Sequence, residues 1–153
     1  MQALSQSSEY AIRAATYLAL QRGDEFRLVR DMSETLGIPA AFLVKLLKPL
    51  VARGILESRR GPGGGFRLGK PPSHVTLHDL AEAIEHISGE VPCVLGQAIC
   101  SDERACPAHE QWKKTYTEFR RFLAHTTLDD VVAFCKDRDG CDYPMPAARR
   151  TGG

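Results

Sequence analysis

The chain has 153 residues and 43% hydrophobic content, enough for one packed domain or a small domain with an appendage. A net charge of +1 selects no partner by itself, and no apolar run reaches the roughly 18 residues of a membrane helix. The N-terminus lacks a basic segment and an apolar core, so a cytoplasmic protein is expected; five cysteines there point to metal or redox chemistry rather than disulfides.

Ser7 or Ser8 can cap a first helix running to about Arg22, with Gly23 as its stop. Ala11, Ile12, Ala15, Leu18 and Ala19 recur at helical spacing and face a core. Glu9 falls in the first turn, where the helix dipole favours an acid. A second short helix runs from about residue 28 to Leu36, and Gly37 breaks it. Pro39 opens a third, with Leu43, Leu46, Leu47, Leu50 and Val51 on its apolar side. Two short helices about a glycine turn predict a helix-turn-helix. Its second helix then offers Ala41, Val44, Lys45 and Lys48, with Ala40, to DNA. Lysines as the only polar readers favour phosphate contact over base reading. Pro49 inside this helix predicts a kink.

Ile55 to Arg60 reads as a strand, G-P-G-G-G at 61–65 as a turn and Phe66 to Leu68 as the return strand. Four glycines and a proline make a tight tip with bare backbone, including Gly63 and Gly64. Arg59, Arg60 and Arg67 flank it. No Gly-Lys-Ser/Thr follows, which argues against a nucleotide loop. Residues 39–70 hold seven Lys/Arg against Glu57, whereas 76–110 hold seven acids against Arg104. Such asymmetry suggests a polyanion-binding face on one side only.

Pro71-Pro72 is a break. Thr76 with Asp79 caps a helix burying Leu77, Leu80, Ala81 and Ile84 and ending near Ser88-Gly89. Pro107 suits the first position of a long helix. On it Trp112, Tyr116, Phe119 and Leu123 form an aromatic stripe larger than a small core needs, and this reads as a dimer seam. Thr127 with Asp130 caps a last helix to about Phe134, and the chain from Pro144 on is expected to be disordered. The resulting division is a DNA-binding domain at 1–75, a helix, loop (90–109) and dimerisation helix at 76–135, and a disordered tail at 136–153.

Between these helices Cys93, Cys100, Cys106 and His109 are separated by six, five and two residues. Thiolates suit iron–sulfur clusters, zinc or Cu(I), and imidazole can replace a thiolate on one iron. Zinc sites more often use cysteine pairs two to four residues apart. The spacing therefore favours a cluster, leaving open zinc held by the same four residues, or no metal and three small buried side chains. Cys106 with His109 could also form a nucleophile pair, but nothing marks an oxyanion hole. Cys135 and Cys141 read as free thiols.

The chain resembles the Rrf2 family of bacterial winged-helix regulators, in particular its iron–sulfur members. The resemblance rests on S-S-E-Y-A-I-R-A-A-T-Y-L-A at 7–19, R-R-G-P-G-G-G-F-R-L-G-K at 59–70, T-L-H-D-L at 76–80 and the cysteine triplet, and covers about residues 5–135. It implies a mainly α fold with a small β-hairpin wing, a winged helix-turn-helix plus a long C-terminal dimerisation helix. It implies a homodimer on a palindromic double-stranded operator, with no membrane. It also implies a [2Fe–2S] or [4Fe–4S] cluster on Cys93, Cys100 and Cys106, with His109 or the other subunit's Glu9 as fourth ligand. A cluster sensing iron, redox state or nitric oxide would then control operator affinity. The rival reading is a cluster-free member answering a small molecule or a protein partner. The long first cysteine gap, Val44 at a family reading position and Pro49 depart from the pattern.

Overall fold

The computed structural model describes residues 3–21 and 23–145. The elements are α1 (Gln6–Leu20), α2 (Val29–Leu36), α3 (Ala40–Ala52), β1 (Leu56–Arg59), β2 (Gly65–Leu68), α4 (Leu77–Glu85), α5 (His109–His125) and α6 (Leu128–Lys136). This is the mainly α architecture with a two-stranded wing and a long C-terminal helix that the sequence implies.

Capping moves several boundaries. Ser5, not Ser7 or Ser8, caps α1: its hydroxyl accepts the Ser8 N–H at 3.1 Å. Ser8 is thus the capped donor, buried inside the helix. The helix stops at Leu20, because Gln21 is already extended (φ −70°, ψ 141°). Arg22 lies outside the described residues. α4 ends at Glu85, short of Ser88-Gly89, with His86 in the left-handed region at φ 50°. α5 starts at His109 after Ala108, so Pro107 precedes the helix instead of opening it. The Cys106 carbonyl accepts the His109 N–H at 2.9 Å and makes the entry turn. α6 runs past Phe134 to Lys136.

Gly37, at φ 65°, turns α2 into α3, and the two helices are bent by 111°, as a helix-turn-helix requires. The Ser33 hydroxyl donates to the Ile38 carbonyl at 2.6 Å and fixes that turn. Pro49 lies in the last turn of α3 without ending it. The Arg53 N–H still closes on the Pro49 carbonyl at 3.2 Å, so the helix reaches Ala52.

β1 and β2 pair antiparallel, with Leu56 opposite Leu68 and Arg59 opposite Gly65. Arg27 adds a bridge: its N–H donates to the Phe66 carbonyl at 2.8 Å and its carbonyl accepts the Phe66 N–H at 2.9 Å. An added Cβ at Gly65 would collide with the Arg27 carbonyl, and one at Gly64 with the Arg59 carbonyl.

One apolar cluster joins the parts. Met32, Leu36, Leu43, Leu47 and Leu50 of the helix-turn-helix meet Ala11, Ala15 and Leu18 of α1. Leu80, Leu123 and Leu128 bring α4, α5 and α6 into the same core. Each such fully buried leucine contributes about 1.5–3 kcal/mol. Capping boxes Thr76–Asp79 and Thr127–Asp130 open α4 and α6. The two openings are tied side by side, with the Leu77 N–H on the Thr126 carbonyl at 2.9 Å and the Leu128 N–H on the Val75 carbonyl at 2.8 Å.

Beyond α6 the chain turns back onto α1, where Pro144 is buried. The rest of the expected tail, 146–153, lies outside the described residues. No single described helix is long and apolar enough to cross a membrane.

Candidate nucleic-acid interface and cysteine loop

Ala41, Lys45 and Lys48 stand exposed on α3, and Val44 is half-buried between them. A groove of about 820 Å³ runs between this face and the wing, lined by Val44, Lys48, Arg59, Arg60 and Gly64 together with Arg30. Lys48 of the helix and Arg59 and Arg60 of the wing therefore share one concave surface, which suits a phosphate backbone. Gly63, at φ 71°, is exposed at the tip. Gly64 is buried against the Arg59 carbonyl, so it shapes the turn.

Phe26, missed in the sequence, organises the arginines. The guanidinium of Arg59 lies 4.4 Å from its ring centre and that of Arg67 lies 4.6 Å away. Arg67 also pairs with Glu57 at 2.7 Å and donates to the Asp24 carbonyl at 2.9 Å. Arg60 and the two lysines carry no such ties among the contacts described. Nothing in the local pattern singles out Phe26, because residues 23–28 have no period.

The second site is the irregular stretch 86–108. Its thiols do come close. Cys93 is in hydrogen-bonding contact with Cys106, and both lie near enough to Cys100 to oppose its ionisation. Backbone N–H groups, that of Gln97 foremost, hold the Cys93 thiol below its ordinary value. Desolvation, then the neighbouring Cys93 and Cys106, pushes Cys100 up.

His109 is the anchor, only 3% exposed. Its Nε2 lies 2.7 Å from Asp102 Oδ1 and its Nδ1 lies 3.3 Å from Cys100 Sγ. The carboxylate calls for the proton on Nε2, which leaves Nδ1 to accept from the Cys100 thiol. Lys113 Nζ meets the same Asp102 oxygen at 2.8 Å. That ammonium, then His109, holds the Asp102 carboxyl below the usual carboxylate range, and Asp102 in turn raises Lys113. Trp112 donates its indole N–H to the Pro92 carbonyl, tying the other end of the loop to α5. Asp102 and Lys113 were not singled out from the sequence. The signal available was Lys113 four residues after His109, on the same helix face.

This arrangement overturns the iron–sulfur assignment. Among the described residues the group compact enough for a metal ion is Asp102, His109 and Glu110, with donor atoms within 4.8 Å of one another. It contains no cysteine. Carboxylates and imidazole suit single divalent ions, whereas clusters are held by deprotonated thiolates. Cys100 is instead engaged with His109, and both imidazole nitrogens already have partners. The residues do not fit a cluster. The alternative fourth ligand, Glu9, is exposed on α1 and lines a concavity with Phe119, Phe122 and Tyr143. The imagined Cys106–His109 nucleophile pair is replaced by Cys100–His109.

On α5, Trp112, Tyr116 and Phe119 are half-buried, and consecutive rings lie 5.7 and 6.2 Å apart. Leu123 points into the protomer's own core, 1% exposed, while its neighbour Phe122 is 55% exposed.

The family model Rrf2, described as an iron-dependent transcriptional regulator, matches residues 4–134. An HTH-type transcriptional regulator of Aquifex aeolicus is 32% identical over 84% of this chain and 90% of its own length. The HTH-type transcriptional regulator IscR of Pectobacterium carotovorum is 29% identical over 97% of this chain and 90% of that protein. Among solved structures, the global cysteine regulator CymR of B. subtilis superposes with a TM-score of 0.73 at 25% identity, covering 88% of this chain and 98% of that one. IscR of T. potens, at 21% identity and a TM-score of 0.69, shares the fold.

Proposed function

Since the chain belongs to the Rrf2 family of DNA-binding transcriptional regulators and is not an enzyme, we propose that it is a homodimeric operator binder whose signal is a small molecule acting on the 86–108 loop, without an iron–sulfur cluster. The observation that carries this is the line Cys100–His109–Asp102–Lys113, which runs from the buried His109 out to an exposed ion pair. It ties the loop to α5 through groups that a ligand can unpair. An open concavity of about 770 Å³ lies beside it, lined by Gln97, Ala98, Ile99, Ser101, Glu103, Arg104 and Ala105. That size suits a small molecule.

The mechanism follows from the connections. α5 carries the aromatic face formed by Trp112, Tyr116 and Phe119, which, with Phe122, is the proposed seam between two copies. A dimer presents its two winged modules at a set spacing, and operator half-sites lie at fixed intervals along the duplex. A ligand that takes His109 or Asp102 from its present partner would loosen the loop and shift α5. A coupling of about 1–3 kcal/mol changes operator affinity about 5- to 150-fold. The contacts to DNA would come from Lys45, Lys48 and Arg60, with Arg59 and the glycine tip of the wing following the backbone. The similar B. subtilis protein is named a global cysteine regulator, so a sulfur-containing metabolite is the first ligand class to test.

The test uses protein prepared without oxygen and then stripped with a chelator, on an operator selected from random duplexes. Specific binding should survive stripping, and His109→Ala should change the affinity within that same 5- to 150-fold span. Stoichiometric iron and sulfide in the untreated protein, with binding lost on their removal, would overturn the reading.

A further inference from the structure

The structure assigns a second sulfur site, outside the signal loop: we propose that Cys135 and Cys141 form a redox-closable clasp that pins residues 137–145 onto α1. Cys135 sits in the last turn of α6. The chain then reverses. The Asp137 N–H closes the helix on the Ala133 carbonyl at 3.0 Å, and the Cys141 N–H returns to the Arg138 carbonyl at 3.3 Å. Gly140 permits this with φ 78°. The reversal brings the Cys141 thiol into hydrogen-bonding contact with that of Cys135. Both are half-buried and unbridged.

What the clasp would hold is functional structure. Past Cys141, the Tyr143 hydroxyl is in hydrogen-bonding contact with the buried Thr16 of α1. The Pro144 carbonyl accepts from Arg13 Nε at 2.9 Å. The same buried guanidinium donates through Nη2 to the Leu36 carbonyl at 2.7 Å. Leu36 is the last residue of α2, at the turn into α3. One arginine therefore joins the returning segment to the helix-turn-helix. Fixing the segment fixes the Pro144 carbonyl that holds Arg13, the donor to which that turn is anchored.

The chemistry needs an oxidant, and a hydroperoxide suffices. Cys135 is pushed up to about 11, by burial first and then by Cys141, so it remains a thiol and the first attack falls to Cys141. The Cys141 thiolate takes one peroxide oxygen, the O–O bond breaks and the other oxygen leaves as hydroxide or alkoxide. The Cys135 sulfur then attacks the resulting sulfenic acid, the S–S bond forms, and water leaves with the Cys135 proton. Reduction by a dithiol reverses it.

The experiment treats the reduced full-length chain with hydrogen peroxide, alkylates the remaining thiols and digests with trypsin. Cleavage after Lys136 and Arg138 puts the two cysteines on different peptides. The expected product is those two peptides joined, absent in Cys135→Ser. Hydrogen exchange on the oxidised chain should slow by about tenfold at the amides of Cys141, Met145 and Gly37. Failure to cross-link while Cys93, Cys100 or Cys106 is oxidised would overturn the pair. Cross-linking with unchanged exchange would overturn the clasp.

Discussion

The winged module and the 86–108 loop are built from different forces. In the module, apolar side chains from α1, α2, α3 and the wing interlock in one cluster, and backbone contacts at Gly64 and Gly65 leave no room for a side chain. In the loop, Val94, Leu95 and Ile99 are exposed, and the geometry hangs on polar contacts to His109 and Trp112. The first construction is stiff and indifferent to solutes. The second can be undone by anything that competes for a few hydrogen bonds. On the proposed function, the first would be the reader and the second the sensor.

Core truncation should separate them most. Leu47 is fully buried, so Leu47→Ala should cost about 2–5 kcal/mol, from lost transfer energy and the cavity left behind. Ile99 is 52% exposed, and Ile99→Ala should stay within about 0.5 kcal/mol. Urea unfolding followed by circular dichroism measures both. Equal losses would mean that the loop has a core of its own and would end the contrast.

A smaller effect should come from the wing. Gly65 holds φ 128° against the Arg27 carbonyl. Gly65→Ala should cost about 1–3 kcal/mol of backbone strain and weaken operator binding, while the helix-turn-helix keeps its helicity. A variant with full stability and full affinity would show that the wing accommodates a side chain.

The same contrast explains what could be read in advance. α2, α3, the hairpin and the caps at Thr76 and Thr127 were legible because local rules decide them: apolar period, glycine turns, hydroxyl–amide caps. The start of α1 was misplaced by two or three residues because three serines compete for one cap, and only packing chooses Ser5. The loop was legible as a place and not as chemistry. Three thiols and an imidazole at plausible intervals suggest a cluster, but linear spacing does not say which neighbour takes each imidazole nitrogen. Asp102, which takes Nε2, has no pattern to announce it, and neither has Lys113 beyond its helix register. Arg13 was hidden similarly: on an otherwise apolar helix face, its two carbonyl partners come from distant segments.

The smallest expected effect is a salt dependence confined to the loop. Lys113 and Asp102 form an exposed pair at 2.8 Å, and raising salt from about 0.1 M to about 1 M shortens the screening length from roughly 10 Å to roughly 3 Å. Asp102 then holds His109 less firmly in place, and the loop loosens at its far tie, Trp112 to Pro92. Trp112 is the chain's only tryptophan, so its emission reports on that tie alone. The emission should shift to the red with salt while the far-ultraviolet dichroism of the helices stays constant. Lys113→Gln should show the high-salt emission already in dilute buffer, with little further shift. If wild type and variant respond alike, the ion pair does not hold the loop. The polar line would then end at Asp102, and the stiffness of the loop would have to come from its own backbone turns at Gly96 and Arg104.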